Sequence, residues 1–442
     1  MVQYQPPMEW SQWVDWLAAG LHGRNRWRLS LIMMGILFAH GRRTVTTWLR
    51  AAGLQDDYGG YYYLLQPLGR KAKQLAEKLL TLLLLRLVTV NRLLFAIDDS
   101  PTKRYGPKVQ GAGIHHNPTP GPADHKFLYG HIWVTFCLVI RHPLWNTIGL
   151  PLLGLMYVRA KDIADIPRKC KWKFRTKLQL AAKQMVKFAE LAKAAGKTVW
   201  VVADGAYANA PFIKPLRAAG VIVVSRLRKN AKLFSLPKPV QKRGPGQPRK
   251  YGETRMHLAP RAAHRLGWET IECFVYGQWV TKTVKTFLAT YAPAGGVIRV
   301  VIVKEANGCE FFFCTDPEAT PREIVEAFAD RSSIEQDFHD VQEIWGAGQQ
   351  QVRNIWTNIA AFNLNLWVHT LVECWAWNKP ADEIRDRADS PWDDPQRRPA
   401  HADRRKALRR ETLQNEYSSL STSHRLSSRI RGLYELLLQL AT

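Results

Sequence analysis

The chain has 442 residues, enough for two or three domains, and carries 63 lysines and arginines against 37 acids, a net charge of +26. That excess points to a polyanionic partner, since neutralising phosphates releases their counterions. Its 46% hydrophobic content and 17 tryptophans exclude a basic disordered tail.

Residues 1–90 read as a helical domain. "EWSQWVDWLAAGL", "RLSLIMMGILFAHG" and "KAKQLAEKLLTLLLLRL" repeat apolar residues at helical spacing. The greasiest run, "LLTLLLLRL", is interrupted by Arg86 and too short to span a bilayer. No basic and apolar leader opens the chain, so neither a signal peptide nor a membrane role is expected. Within this region "GRRTVTTWLRAAGL" (41–54) has helix-turn-helix flavour, with Arg43 and Arg50 as candidate DNA contacts; a plain bundle helix fits equally.

From residue 91 the pattern changes. "RLLFAIDDS" (92–100), "LYGHIWVTFCLVI" (128–140) and "TIGLPLLGLMYVR" (147–159) read as strands. A basic helix over 171–196 follows, then a strand in "TVWVVADGAYAN" (198–209), a helix and the strand "VIVVSRLR". Three strands followed by alternating helix and strand predict a mixed sheet in an α/β layer, the order of a ribonuclease H-like core. Lys171, Lys173, Arg175 and Lys177 of the basic helix either bind a phosphate backbone or form a solvated face.

Residues 230–318 interrupt this core with a β-rich insertion. It contains the loop "KRGPGQPRKYG" (242–252), whose Arg249 and Lys250 have either the character of a minor-groove hook or that of a solvated linker. Residues 319–378 resume as two helices, "TPREIVEAFADRSSIEQDFHDVQEIWG" (320–346) and "NIWTNIAAFNLNLWVHTLVECWAW" (354–377), with Thr320 as N-cap and Pro321 at the first helical position. Residues 379–442 form a basic tail, expected to be only partly ordered. The six cysteines make no C-x-x-C pair, so a reducing cytoplasmic setting without zinc fits.

Three acidic positions share a logic. Asp98 and Asp99 end the first strand, Asp204 ends the fourth, and Glu335 lies on the helix after the insertion. Singly each has an ordinary reading: strand-ending turns for the aspartates, and for Glu335 an i,i+4 ion pair with Arg331 worth a few tenths of a kcal/mol. Together, acids past the carboxyl ends of neighbouring strands converge on one crevice, where hard divalent ions (Mg²⁺ or Mn²⁺) relieve their repulsion. Two such ions can clamp a phosphodiester. Strand alternation points Asp98 and Asp99 to opposite faces, so only one can be the ligand.

The stretches "FAIDDS", "VVADGAYAN" and "RSSIEQDFHDVQ" resemble the DDE transposases of bacterial insertion sequences, in the hairpin-forming branch whose ribonuclease H-like core is split by a β-rich insertion. The resemblance covers about 90–375, and "GAGIHHNPTPGPADHKFLYGH" also looks like family text. Around its glutamate that branch places Tyr, two residues, Arg, three residues, Glu, six residues, Lys. Here the spacing is filled by Phe328, Arg331, Glu335 and Gln342. Phenylalanine cannot donate a hydrogen bond and glutamine has no charge, so the phosphate-holding role of those positions is altered, and Arg353 is the candidate substitute. The resemblance selects Asp99, before Ser100, as the first catalytic acid. It implies two-metal nicking and joining of double-stranded DNA at terminal inverted repeats and at a target, by a homodimer on DNA in the nucleoid. The rival readings are an inactive sequence-specific DNA-binding derivative and a ribonuclease H-like nuclease acting on hybrids or junctions.

Overall fold

A computed structural model describes residues 4–54, 58–117, 125–238 and 249–420. The 118–124 part of the family-like stretch, the 242–248 part of the basic loop and the tail beyond 420 lie outside the described residues.

Five helices open the chain: α1 (Met8–Ala18), α2 (Gly23–Phe38), α3 (Val45–Ala51), α4 (Tyr58–Arg70) and α5 (Ala72–Arg86). Thr44 caps α3, its hydroxyl accepting from the Thr47 N–H. A Cβ at Gly35 would lie 2.1 Å from the Trp48 carbonyl oxygen, so α2 and α3 cross backbone against backbone.

The strands and helices that follow are β1 (Arg92–Lys103), β2 (Gly113–His116), β3 (Phe127–His142), β4 (Asn146–Tyr157), α6 (Lys177–Ala194), β5 (Thr198–Ala203), α7 (Ala210–Ala218) and β6 (Ile222–Arg226). β1 lies antiparallel to β3 and parallel to β5; β3 pairs antiparallel with β2 and β4, and β5 runs parallel to β6. The order across this part is therefore β4-β3-β1-β5-β6, a mixed sheet in an α/β chain.

The region after β6 contains β7 (Leu233–Phe234), β8 (Arg255–Met256), α8 (Leu258–Ala263), β9 (Glu269–Val275), β10 (Gln278–Tyr291), β11 (Gly296–Glu305) and β12 (Gly308–Cys314). These strands do not form a sheet of their own. β12 pairs antiparallel with β6 through Phe312–Cys314, so the inserted strands prolong the same sheet.

The chain closes with α9 (Pro321–Asp330), α10 (Ser332–Glu343), α11 (Ile355–Ala376), α12 (Ala381–Ile384) and α13 (His401–Leu420). Alternation along β1 sorts its side chains between two cores. Phe95 and Ile97 join Phe188 of α6 and Phe212 of α7, whereas Ala96 joins Val202, Val224, Ile324 of α9 and Ile334 of α10.

Several expectations change. The helix expected over 320–346 is two helices meeting at Arg331, where the Ile334 N–H bonds back to the Arg331 carbonyl in a tightened turn. The basic helix begins at Lys177 behind a Thr176–Gln179 capping box, so 171–176 is an irregular segment. Within the tail, the described residues include a docked helix, α13. Arg404 of α13 grips buried Glu373 with both oxygens at 2.7 Å, and Arg405 and Arg409 donate to the carbonyls of Leu37 and Ala39 where α2 ends. These arginines are consumed internally.

Candidate active site

Asp98 and Asp99 lie within β1, one on each face, and not at its end as expected: the pairing with β5 stops at Ile97, but the strand runs on against β3 to Lys103. Asp98 faces α10. The Arg331 guanidinium donates one N–H to Asp98 and another to Glu335, the latter at 2.8 Å. The turn at Arg331 makes this possible, because it aims a side chain from between two helices at the strand while Glu335 stands one turn further on. Asp98 also accepts the Asp99 N–H at 2.8 Å. Burial holds the Asp98 carboxyl above the usual carboxylate range; Arg331 works against this, and the charges of Asp99 and Asp204 add to it.

Asp99 points the other way. Lys177, at the first position of α6, reaches it at 2.7 Å, and the Tyr207 hydroxyl donates to it at 2.6 Å. Burial first, then the Asp99 charge, pushes the Tyr207 phenol well above its ordinary value. The resemblance selects Asp99 as the first acid, yet it is Asp98 that shares Arg331 with Glu335.

Asp204 follows β5 and caps a short 3-10 turn, accepting the Gly205 N–H at 2.6 Å. Ser225 of β6 donates to its carbonyl at 3.1 Å. Asp204 lines an open groove of about 560 Å³ whose other walls include Arg226, Arg228, Lys229 and Glu310.

Phe328 packs on Phe312, with ring centres 4.7 Å apart, and the guanidiniums of Arg226 and Arg331 both lie 5.6 Å from its ring. The ring thus packs between two arginines. Gln342 donates to the Ser100 hydroxyl at 3.2 Å and to the Pro101 carbonyl at 3.4 Å, which ties α10 to the end of β1.

The outlying candidates are not gathered with the acids. Arg353 is exposed, its carbonyl accepting the Gln110 N–H. The Arg43 N–H donates to Gln349, and its guanidinium is held below the usual arginine range by burial. Arg50 and Lys250 are exposed, and Arg249 pairs with Glu253. Tyr207 and Arg226 were missed as site residues, and so was the bond from Lys177 to Asp99. Lys177 was one cation in a basic run, and nothing in "DGAY" announces a bond from Tyr207 to Asp99.

A divalent ion suits the donor set chemically. Every candidate ligand is a carboxylate oxygen, the charges crowd one another, and a guanidinium already bridges Asp98 and Glu335. Among the described residues, three ligand atoms within 4.8 Å of one another occur elsewhere, at buried His369, Glu373 and His401. There Trp345 donates to His401 and Arg404 occupies both Glu373 oxygens, so that trio locks α13 in place.

The family model of DDE superfamily endonucleases matches residues 17–285, more than half of the chain. The match spans Asp98, Asp99 and Asp204 and ends before Glu335. A search of curated proteins found no match. On the strength of the family match, the chain belongs to the DDE superfamily endonucleases.

Proposed function

We propose that this endonuclease is a DNA transposase that nicks the ends of an insertion sequence and joins them to target DNA. The observation that carries the reading is the Asp98–Arg331–Glu335 bridge beside Asp204. It draws the glutamate helix, across the whole insertion, onto the strand that bears the first acid. The strand order β4-β3-β1-β5-β6, with three antiparallel strands and then two parallel to β1, supports a ribonuclease H-like core.

In this reading Asp98, Asp204 and Glu335 hold two Mg²⁺ or Mn²⁺ ions, in preference to Asp99. When bound, such ions supply activation of a hydroxyl nucleophile and neutralisation of the leaving oxygen. The remaining work falls to the chain itself. Lys177 and Tyr207 fix the Asp99 carboxylate and thereby this part of β1. Arg331, released from the carboxylates, takes a phosphate oxygen, for which a guanidinium fork is suited. Arg226, Arg228 and Lys229 line the groove that leads to Asp204 and attract the DNA backbone. The substrate is double-stranded DNA, at terminal repeats and at a target, and cutting two ends together calls for a homodimer in the bacterial cytoplasm.

The test is cleavage of a duplex carrying the flanking inverted repeats, with and without Mg²⁺. Glu335→Gln is expected to lower the rate at least about 100-fold, since even outer-shell partners of a metal are worth 10–100-fold. Full cleavage by this variant sinks the metal-site assignment.

A further inference from the structure

A second concave site lies at the β4 edge of the sheet, where the helices before the core meet β4. It is a cavity of about 310 Å³ between α4, α5, β4, the start of α11 and the segment 170–175. Small-ligand pockets begin at roughly this size, about 300–1,000 Å³.

Its lining has a consistent chemistry. Arg70 and Lys73 come from α4 and α5; Lys171, Lys173 and Arg175 come from the irregular segment. None of these five cations has a carboxylate within ion-pair distance among the described residues. Burial, followed by the charges of Arg175 and Lys183, holds the Lys73 ammonium below its ordinary range, with Glu77 acting in the opposite sense.

Two tryptophans supply the apolar part. Trp172 and Trp356 sit with ring centres 5.7 Å apart, tilted by 56°, and Arg70 lies 6.0 Å from the Trp356 ring. The Trp356 indole N–H is buried with no acceptor among the described residues. Rings this close and this tilted cannot sandwich a base, but either offers it a face. The run Lys171-Trp172-Lys173-Phe174-Arg175 alternates cation and aromatic, and Phe174 is exposed. Cations that follow a backbone beside aromatics that stack bases describe a single-strand binding surface.

Position links this cavity to the acids. Asp99 pairs with Val134 on β3, and Val134 pairs with Leu155 on β4, a lining residue. Directly opposed residues share a face, so Leu155 lies two strands from Asp99, about 10 Å at the usual strand spacing, while Gly154 and Met156 beside it turn to the Asp98 face. That distance is on the order of three nucleotide steps of roughly 3.4 Å. Lys177 stands between, 2.7 Å from Asp99 and 5.7 Å from the Tyr157 ring centre.

We infer that this cavity holds one unpaired nucleotide of the DNA strand, its base stacked on Trp172 or Trp356 and its phosphates held by Arg70, Lys73, Lys173 and Arg175. A paired base hides both faces in the duplex stack, so an unpaired nucleotide is required. The choice of a DNA strand over a free nucleotide rests on the function proposed above.

The experiment uses the full chain without divalent metal and a single-stranded oligonucleotide containing one 2-aminopurine, whose emission is quenched by stacking. Wild type is expected to quench it. Trp172→Ala is expected to abolish most of the quenching. Lys73→Glu with Lys173→Glu is expected to weaken binding tenfold or more and to flatten its salt dependence, at about 0.7 log units per lost phosphate contact. Circular dichroism establishes that each variant is folded. Wild-type quenching and affinity in both folded variants overturns the site, and equal quenching of free 2-aminopurine mononucleotide overturns the strand assignment. No cleavage enters this readout, so it stands or falls separately from the catalytic reading.

Discussion

Asp98 and Asp99 show how much chemistry one residue step decides. They share a turn of sequence but answer to different cations, Asp98 to Arg331 and Asp99 to Lys177. Asp98→Asn is therefore expected to reduce metal-dependent nicking at least about 100-fold. Asp99→Asn keeps a side chain that still accepts from Tyr207 and is expected to cost less than about tenfold, within the range for a partner behind a ligand. Nicking rates at saturating DNA compare the two; a larger loss in Asp99→Asn would return the ligand role to Asp99. The acids themselves were legible in the sequence because they interrupt or follow apolar runs, Asp98 and Asp99 inside β1 and Asp204 directly after β5. Which of two adjacent acids faces α10 was not, since this depends on which face of β1 receives α10 after an insertion of some ninety residues. The same limit applies to Phe328. Its spacing from Glu335 was readable, whereas its packing between Arg226 and Arg331 needs β6 and α9 brought together.

At the scale of elements, the strands of the core were readable from continuous apolar runs, and the helices from their caps. β2 was hidden because "GIHH" is short and lies at the sheet edge with an alternating exposed pattern. The turn at Arg331 was hidden because no glycine or proline marks it. Close helix crossings left a different trace, namely glycines inside helices. A Cβ at Gly69 would lie 1.9 Å from the Trp356 carbonyl oxygen of α11, a backbone atom that cannot swing aside. Gly69→Ala is expected to force α4 away from α11 at a cost of about 1–3 kcal/mol. Thermal unfolding checks this, and an unchanged midpoint would mean that the two helices are not in backbone contact.

Across the whole molecule, buried charge ties the ends of the described chain together. Removing Arg404 leaves Glu373, 2% exposed, without its cation. Arg404→Ala is expected to cost about 3–5 kcal/mol, measurable by denaturant unfolding. A loss below 1 kcal/mol would show that α13 does not depend on this pair. Acid acts on the same interior. Burial pushes His115 and His401 down to about 4 and His131 down to about 3. Between pH 6.5 and 4 the unfolded chain thus binds protons that the folded chain refuses, so stability falls as pH falls. The loss is about 1.4 kcal/mol per pH unit for each such histidine. His369 has the opposite sign: its raised pKa contributes stability below 6.5 that is lost as pH climbs. A melting temperature that stays flat from pH 7 to pH 4.5 would contradict this balance.

The continuous sheet has a narrow waist. β6 and β12 meet in it by three residue pairs, Phe312 with Arg226, Phe313 with Ser225 and Cys314 with Val224, flanked by bonds from the Leu227 N–H to the Phe311 carbonyl and from the Thr315 N–H to the Val223 carbonyl. A ladder that short resists bending far less than the nine pairs linking β10 to β11. Arg226 belongs both to this waist and to the wall of the groove beside Asp204. Glu310 of β12 lines the same groove and pairs with Arg226, so the seam between β6 and β12 and the wall beside Asp204 are one structure.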